Sequence, residues 1–200
     1  MFNQSSFEVF NISGLEERMA AVRSEIQPVF QQIGDALIPE LEAALERPFY
    51  LHIAQHRRRT VHPPENTWAA VGEGKRGYKM APHFQIGIWP EYVFMWLSII
   101  DQPQDQKRYG QTLLTALPEI KQLPADFVIN KDHTVASLLS LDEAESALER
   151  LVKVKKSEFQ MGRVILRESP LWQEPKNALT EILATYRQLL PFYELLTEEA

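Results

Sequence analysis

The stretch that decides the fold of this chain is HFQIGIWPEYVFMWLSII, residues 83–100. In its first half, one face carries the large apolar residues Phe84, Ile86 and Ile88, and His83 and Gln85 lie on the other face. This alternation predicts a half-buried strand. Pro90-Glu91 predicts a tight turn, and residues 92–100 are apolar on both faces, as in a central strand. We therefore predict an antiparallel hairpin at the centre of the sheet.

An amphipathic helix is predicted before this hairpin, because apolar residues recur there at steps of three and four. They are Leu15, Met19, Val22, Ile26, Phe30, Ile33 and Leu37. Ser13 and Glu16 have the spacing of a capping box at its start. Pro28 lacks an amide donor and is expected to kink the helix. Pro39 is expected to open a further short helix over 40–45. Packing of the stripe into the core is favoured over binding a partner helix.

Short strands and helices share the rest of the chain. Strands are predicted at 67–71, 126–130 and 159–167, while 49–56 fits a strand or a short helix. Helices are predicted over 105–117, after a cap at Asp142, and from Pro175 until Pro191 interrupts the stripe. Because adjacent strands joined by a tight turn favour α+β over a doubly wound sheet, we predict a single α+β domain of residues 1–200. Its mostly antiparallel sheet has a central hairpin and is packed by N-terminal and C-terminal amphipathic helices.

The composition excludes several classes of protein. The chain has 200 residues, 44% apolar content and a net charge of −6, which are typical of a soluble globular protein. It has no cysteine, which excludes disulfides and thiolate chemistry and agrees with a reducing cytoplasm. No signal peptide is recognisable, and the longest apolar run is too short for a transmembrane helix. We expect a cytoplasmic protein that does not enter a membrane.

The chemistry concentrates in residues 52–83, which we call the basic window. It holds four of the five histidines and six Lys or Arg residues against two glutamates, and so carries a charge of +4 in an acidic chain. Such a concentration of cations in an acidic protein favours an anion as ligand. The candidate ligand-binding residues are His56, Arg57, Arg58, Lys75, Arg76, Tyr78, Lys79, His83 and Gln85. The arginines offer planar forks for phosphate, and the glycine-rich loop 73–79 can approach a ligand closely.

Each part of this window also has a plain structural interpretation. Arg57–Arg59 fits a solvated cluster that pairs with the acidic first helix. Residues 75–79 fit an exposed turn, since the Walker A spacing is missing. His83 and Gln85 are groove residues if their face is open, and ordinary buried residues if it is covered.

Metal binding and catalysis find less support in the sequence. His52 and His56 can chelate a metal together only on a helix, because four residues of strand span roughly 13 Å. No compact metal-ligand pattern is present, and we predict no metal site. Asp132 and His133 are adjacent, and neighbouring residues rarely orient each other as a catalytic dyad. The basic residues 150–156 suit a helix end.

The quoted residues resemble a known family. His52-Ile53-Ala54-Gln55-His56-Arg57-Arg58-Arg59, Pro63-Pro64, Trp68, Lys75-Arg76-Gly77-Tyr78-Lys79 and Pro82-His83-Phe84-Gln85-Ile86-Gly87-Ile88-Trp89 are similar to the YktB-like family of bacterial proteins. The resemblance extends to the start at Gly14-Leu15-Glu16-Glu17-Arg18-Met19. It implies a soluble α+β protein and carries over no catalytic residue or cofactor.

Three functional hypotheses follow from the window. The first is a groove that binds an anionic, phosphorylated or nucleotide-like small molecule. If the ligand is also turned over, His56 or His83 is the first general-base candidate, since histidine titrates near neutral pH. The second hypothesis is a nucleic-acid-associated factor that uses the same patch. The third is an interaction protein that docks an acidic partner. The sequence gives no oligomeric state and no reaction.

Overall fold

The computed structural model describes residues 1–100 and 103–198, which contain one seven-stranded sheet packed against helices. The strands are β1 (Tyr50–Ile53), β2 (Thr67–Gly72), β3 (His83–Ile88), β4 (Tyr92–Ile99), β5 (Phe127–Asn130), β6 (Leu139–Ser140) and β7 (Phe159–Leu166). Their order is β1-β2-β3-β4-β7-β5-β6, and neighbouring strands are antiparallel throughout. The predicted α+β class with a mostly antiparallel sheet is confirmed.

The α-helices of the described ranges occur before, between and after these strands along the chain. They are α1 (Gln4–Glu8), α2 (Leu15–Ala21), α3 (Gln27–Leu45), α4 (Gln106–Thr115), α5 (Leu117–Ile120), α6 (Ala144–Lys153) and α7 (Pro175–Thr197). None of the helices in the described ranges combines the length and the apolar composition that a crossing of a lipid bilayer requires.

The predicted central hairpin is confirmed. β3 and β4 pair in the register Phe84↔Leu97 and Ile88↔Val93, and the Trp89 amide donates to the Tyr92 carbonyl at 2.8 Å to close the turn. The expectation of a half-buried first strand is wrong, since every residue of β3 is buried. The alternating sequence of β3 showed that its two faces differ in chemistry. The face with His83 and Gln85 is nevertheless buried, and Tyr78 of the preceding loop packs on His83.

The N-terminal helical stripe is also confirmed, with different boundaries. α2 and α3 are joined through a π-helical turn at Val22–Ile26, immediately before Pro28 in the first turn of α3. α3 continues through Pro39, so the separate helix over 40–45 is wrong. The capping box is wrong as well, because Gly14 occupies the N-cap of α2 and no side chain caps it.

The C-terminal half shows the same kind of correction. α7 starts at Pro175 as predicted, but it continues through Pro191 without interruption. Asp142 is not a cap, since the Ser140 hydroxyl accepts from the Asp142 amide and a short 3₁₀ turn, Leu141–Glu143, precedes α6. Buried side chains at Ile182, Tyr186, Leu189 and Leu196 anchor α7 in the core, where packing outweighs one lost backbone bond.

The sheet has two chemically different faces. The helices pack on the face that carries Phe84, Ile86, Met95 and Leu97, which belong to the main apolar core. We call the opposite face the polar face. It carries buried polar side chains at one end and, at the other, a separate aromatic cluster of Trp89, Tyr92, Phe94 and Trp96.

Candidate functional site

Four buried polar residues lie side by side across neighbouring strands of the polar face. The register opposes His83 to Ser98, Ser98 to Gln160, and Gln160 to Asn130. We call these four residues the polar row; none is more than 3% exposed. Within residues 1–100 and 103–198, the Ser98 hydroxyl oxygen Oγ and the Gln160 amide nitrogen Nε2 have no hydrogen-bond partner. Burying an unpaired polar atom costs about 1–3 kcal/mol, so a water molecule or other group that paired with either atom would stabilise the fold.

His83 begins the polar row, and its hydrogen bonds fix its charge state. Its Nδ1 lies 2.8 Å from the Ala81 carbonyl, so Nδ1 carries the proton and donates. Its Nε2 lies 3.1 Å from the amide nitrogen of Gln85 and accepts from it. Burial lowers the pKa of His83 to about 4, with help from the charge of Lys79. His83 is therefore a buried, neutral imidazole at pH 7, and Gln85 is buried beside it.

Trp68 and Tyr78 join the two halves of the basic window. The indole Nε1 of Trp68 donates to the Tyr78 hydroxyl at 2.9 Å. The Tyr78 ring meets His52 at 5.5 Å and His83 at 4.7 Å between ring centroids. Loop 73–82 therefore folds back over the polar face, although β2 separates it from loop 54–66.

His56 lies on the other side of Trp68. Its ring meets the indole edge-on at 5.8 Å, and its Nε2 is 2.9 Å from the Thr67 hydroxyl. Burial, with a smaller contribution from the charge of Arg59, lowers the pKa of His56 to about 4. His56 also has a left-handed backbone, with a φ of 48°, and the Arg59 amide donates to its carbonyl to close a turn.

Within residues 49–56, Tyr50–Ile53 forms strand β1 and not a helix. His52 is in β1, and its Nε2 lies 2.8 Å from the Gly74 carbonyl, while His56 bonds to Thr67. The two imidazoles thus have different hydrogen-bond partners. His52 lies on a strand, so this pair lacks the helical spacing that would let both rings bind one metal ion.

The cations of the basic window lie on two exposed turns. Arg57, Arg58 and Arg59 follow His56, and Lys75 and Arg76 follow Gly74. Within the described parts of the chain, none of these five side chains forms an ion pair, and none pairs with the acidic first helix. Lys79 is half-buried beside them. One turn follows His56, whose ring contacts Trp68, and the other precedes Tyr78, which accepts from Trp68.

A cavity of about 240 Å³ lies behind the second turn, lined by Gly74, Gly77 and Tyr78. Its two arginines are already engaged within the fold. Arg47 pairs with Glu73 at 3.2 Å, and Arg108 donates to the Leu196 carbonyl at 3.0 Å. Arg47 therefore attaches the loop to the C-terminal helix through Glu73 and Thr197, and Arg108 attaches α4 to the same helix.

One further histidine reaches the polar face from outside the window. The His133 ring meets Trp68 edge-on at 6.0 Å, and its Nδ1 is 2.8 Å from both carboxylate oxygens of Glu158. His133 also lines a small cavity with Gln85, Asn130, Gln160 and Trp96, with room for about one water molecule. The sequence pointed to Asp132-His133 but not to Glu158, which lies 25 residues further on.

Comparison with known proteins places these residues in a family. Residues 2–193 match a family model described as "Domain of unknown function (DUF1054)". A UPF0637 protein of Enterococcus faecalis is 50% identical over 197 residues, covering 98% of this chain and 97% of that protein. The UPF0637 protein YsbB of Lactococcus lactis is 54% identical over 199 residues, covering 99% and 100%. A UPF0637 protein of Listeria welshimeri is 36% identical over 195 residues, covering 96% of each chain. The predicted family resemblance is confirmed.

Proposed function

This chain belongs to the DUF1054 family, and we propose that it binds an anionic, phosphorylated or nucleotide-like small molecule through its basic window. One observation carries the proposal. Five exposed cations on two separate turns have no ion pair among the described residues, and each turn adjoins a half-buried ring, His56 or Tyr78, that contacts Trp68. Charges kept free of intramolecular partners, next to aromatic rings, suit a ligand that has both a phosphate and a ring.

Each residue has a role in this proposal. Arg57, Arg58, Lys75 and Arg76 hold phosphate oxygens, because guanidinium forks and ammonium groups form charge-assisted hydrogen bonds with them. Lys79 adds charge beside them, and Tyr78 and His56 contact the ring of the ligand at either side of Trp68. His83 and Gln85 act from below, where they support the Tyr78 ring and keep it in place.

The test is a thermal-shift and calorimetry panel of inorganic phosphate, nucleoside phosphates and sugar phosphates. A ligand at 100 times its dissociation constant stabilises by about 2.7 kcal/mol, which raises the melting temperature of a chain this size by roughly 5–11 °C. We expect such a shift in the wild type and its loss in Arg58→Ala and Lys75→Ala. Lys155→Ala is the matched control, since it removes an exposed cation that follows α6 and lies outside the basic window.

Two results would overturn the proposal. One is a flat panel, and the other is binding that is unchanged in both Arg58→Ala and Lys75→Ala. The salt dependence separates ligand classes, because phosphate-backbone binding to nucleic acid weakens steeply with salt. Tight RNA binding with a steep salt slope, lost in the same variants, would replace a small-molecule ligand by nucleic acid. A cytoplasmic location belongs to the same proposal, and the absence of cysteine supports it.

A further inference from the structure

Asp132, His133 and Glu158 form a cluster at the β5–β7 edge of the polar face. Each offers one ligand atom, and these atoms all lie within 4.8 Å of one another. The sheet register brings them together, since Asn130 at the end of β5 pairs with Gln160 near the start of β7. The chain then turns at 131–134 and places His133 against Glu158, just before β7.

The spacing of the His133 and Glu158 atoms is that of neighbouring metal ligands, and Asp132 offers an oxygen within 4.8 Å of both. His133 Nδ1 is 2.8 Å from Glu158 Oε1 and from Oε2. Two donor atoms bound to one zinc ion at about 2.0–2.1 Å lie about 3 Å apart at tetrahedral or octahedral angles. Replacing the proton between His133 and Glu158 by a metal ion therefore needs movements of only a few tenths of an ångström.

The surroundings hold these three side chains in place. Asp132 Oδ1 accepts from the Thr134 amide at 2.9 Å and the Thr134 hydroxyl at 2.6 Å, and the Asn130 side chain accepts from the Asp132 amide. The Glu158 carboxylate also accepts from the His133 amide at 2.8 Å. Such outer hydrogen bonds orient the ligands of metal sites in proteins.

A second observation points to a bound group in the small cavity next to this cluster. His133 lines the small cavity of the polar face, and so does Gln160, which is 1% exposed. In the described part of the chain, the Gln160 Nε2 donor has no partner. A water molecule or anion held at this end of the cavity would accept from it.

We propose that Asp132, His133 and Glu158 bind a divalent first-row transition-metal ion. One imidazole and two carboxylates suit Zn²⁺ and its neighbours better than Mg²⁺ or Ca²⁺, which prefer oxygen ligands alone. The site leaves room for water as a further ligand, because Asp132 is exposed.

The experiment is calorimetric titration of chelator-treated protein with Zn²⁺ alone, together with Co²⁺ absorption and Trp fluorescence. We expect one ion per chain, and quenching by Co²⁺ of the fluorescence of Trp68, whose ring meets His133. His133→Ala and Glu158→Gln should weaken binding more than tenfold. His62→Ala is the control, because it removes an exposed histidine that lies in a groove with Phe10 and Arg18.

Circular dichroism and urea midpoints establish that each variant folds, and Glu158→Gln keeps an oxygen acceptor for His133. The proposal is overturned if the wild type binds no stoichiometric Zn²⁺, or if both His133→Ala and Glu158→Gln bind it as the wild type does. Loss of binding in His62→Ala alone would also overturn it, since the ion would then belong to another surface.

Discussion

Acidification should destabilise this protein through His83. At 0% exposure the imidazole has no water to solvate a positive charge. Its Nδ1 proton is already donated to the Ala81 carbonyl, and its Nε2 accepts from the Gln85 amide. Protonation of Nε2 would place two donors against each other unless Gln85 turned its amide around. The perturbation is a change of pH from 7 to 4, applied to the wild type and to His83→Gln.

The size of the effect follows from the difference between the folded and unfolded pKa values. Burial is the main reason that the pKa of His83 falls from 6.5 to about 4; the charges of Lys79, His52 and His133 act in the same direction, and the Ala81 hydrogen bond opposes them. Between these two values the unfolded chain binds more protons than the folded one, so stability falls as the pH falls. The stability that comes from keeping this imidazole neutral is fully present above pH 6.5, and about 3 kcal/mol of it is lost by pH 4.

Urea denaturation of wild type, His83→Gln and His62→Gln at pH 7, 5.5 and 4 measures this contribution. Substitution costs stability at every pH, so the relevant quantity is the gap between wild type and His83→Gln. We expect that gap to shrink by about 3 kcal/mol between pH 7 and pH 4. His62→Gln, at an exposed position, should follow the wild type. His56 also lowers the unfolding free energy of both proteins on acidification, by a smaller amount because it is only partly buried. Parallel curves for wild type and His83→Gln would refute the reasoning.

Three further substitutions and one control substitution test the packing around the site. Gly162→Ala would put a Cβ 1.8 Å from the Met95 carbonyl oxygen of the neighbouring strand. We expect it to lower the unfolding free energy, measured by urea denaturation, by about 1–3 kcal/mol. Gly77→Ala is the control, because its Cβ meets nothing within 4 Å and the unfolding free energy should change little. Trp68→Phe removes the donor to Tyr78 and should cost about 1 kcal/mol, with faster amide exchange in loop 73–82; unchanged exchange would contradict the role of this bond. Ser98→Ala removes a buried hydroxyl without a partner among the described residues, so the unfolding free energy should stay the same or rise; a marked loss would show that the hydroxyl is paired.

Local periodicity was a sound guide to the fold wherever one element buries one face. The alternation in 83–89 and the apolar run in 92–100 predicted the hairpin, and steps of three and four residues predicted α3 and α7. Proline was the main source of error, because Pro39 and Pro191 lie inside helices whose buried side chains hold them in the core. Tertiary packing outweighs a local helix breaker in these cases, and a single sequence does not show which contacts will form.

The site was predictable to the extent that its residues are close in sequence. His52, His56, Tyr78 and His83 were recognised together because the basic window concentrates histidine and cations. The His133–Glu158 pair depends on the register of β5 against β7 and crosses 25 residues. No local pattern encodes that register, so the sequence offered Asp132-His133 with no third group to orient them.

Trp68 connects the two proposed sites. Its ring meets His56, which precedes Arg57–Arg59, and His133, which bonds to Glu158; its Nε1 donates to Tyr78 of loop 73–82. A phosphate on the turns and a metal ion at His133 would thus bind on either side of one indole. Metal ions commonly neutralise phosphate oxygens, so simultaneous occupancy would be favoured by charge as well as by position. If so, Zn²⁺ should tighten phosphate binding, and phosphate should tighten Zn²⁺ binding by the same factor, because binding linkage is reciprocal. Binding of each ligand that is independent of the other would show that the polar face carries two separate sites.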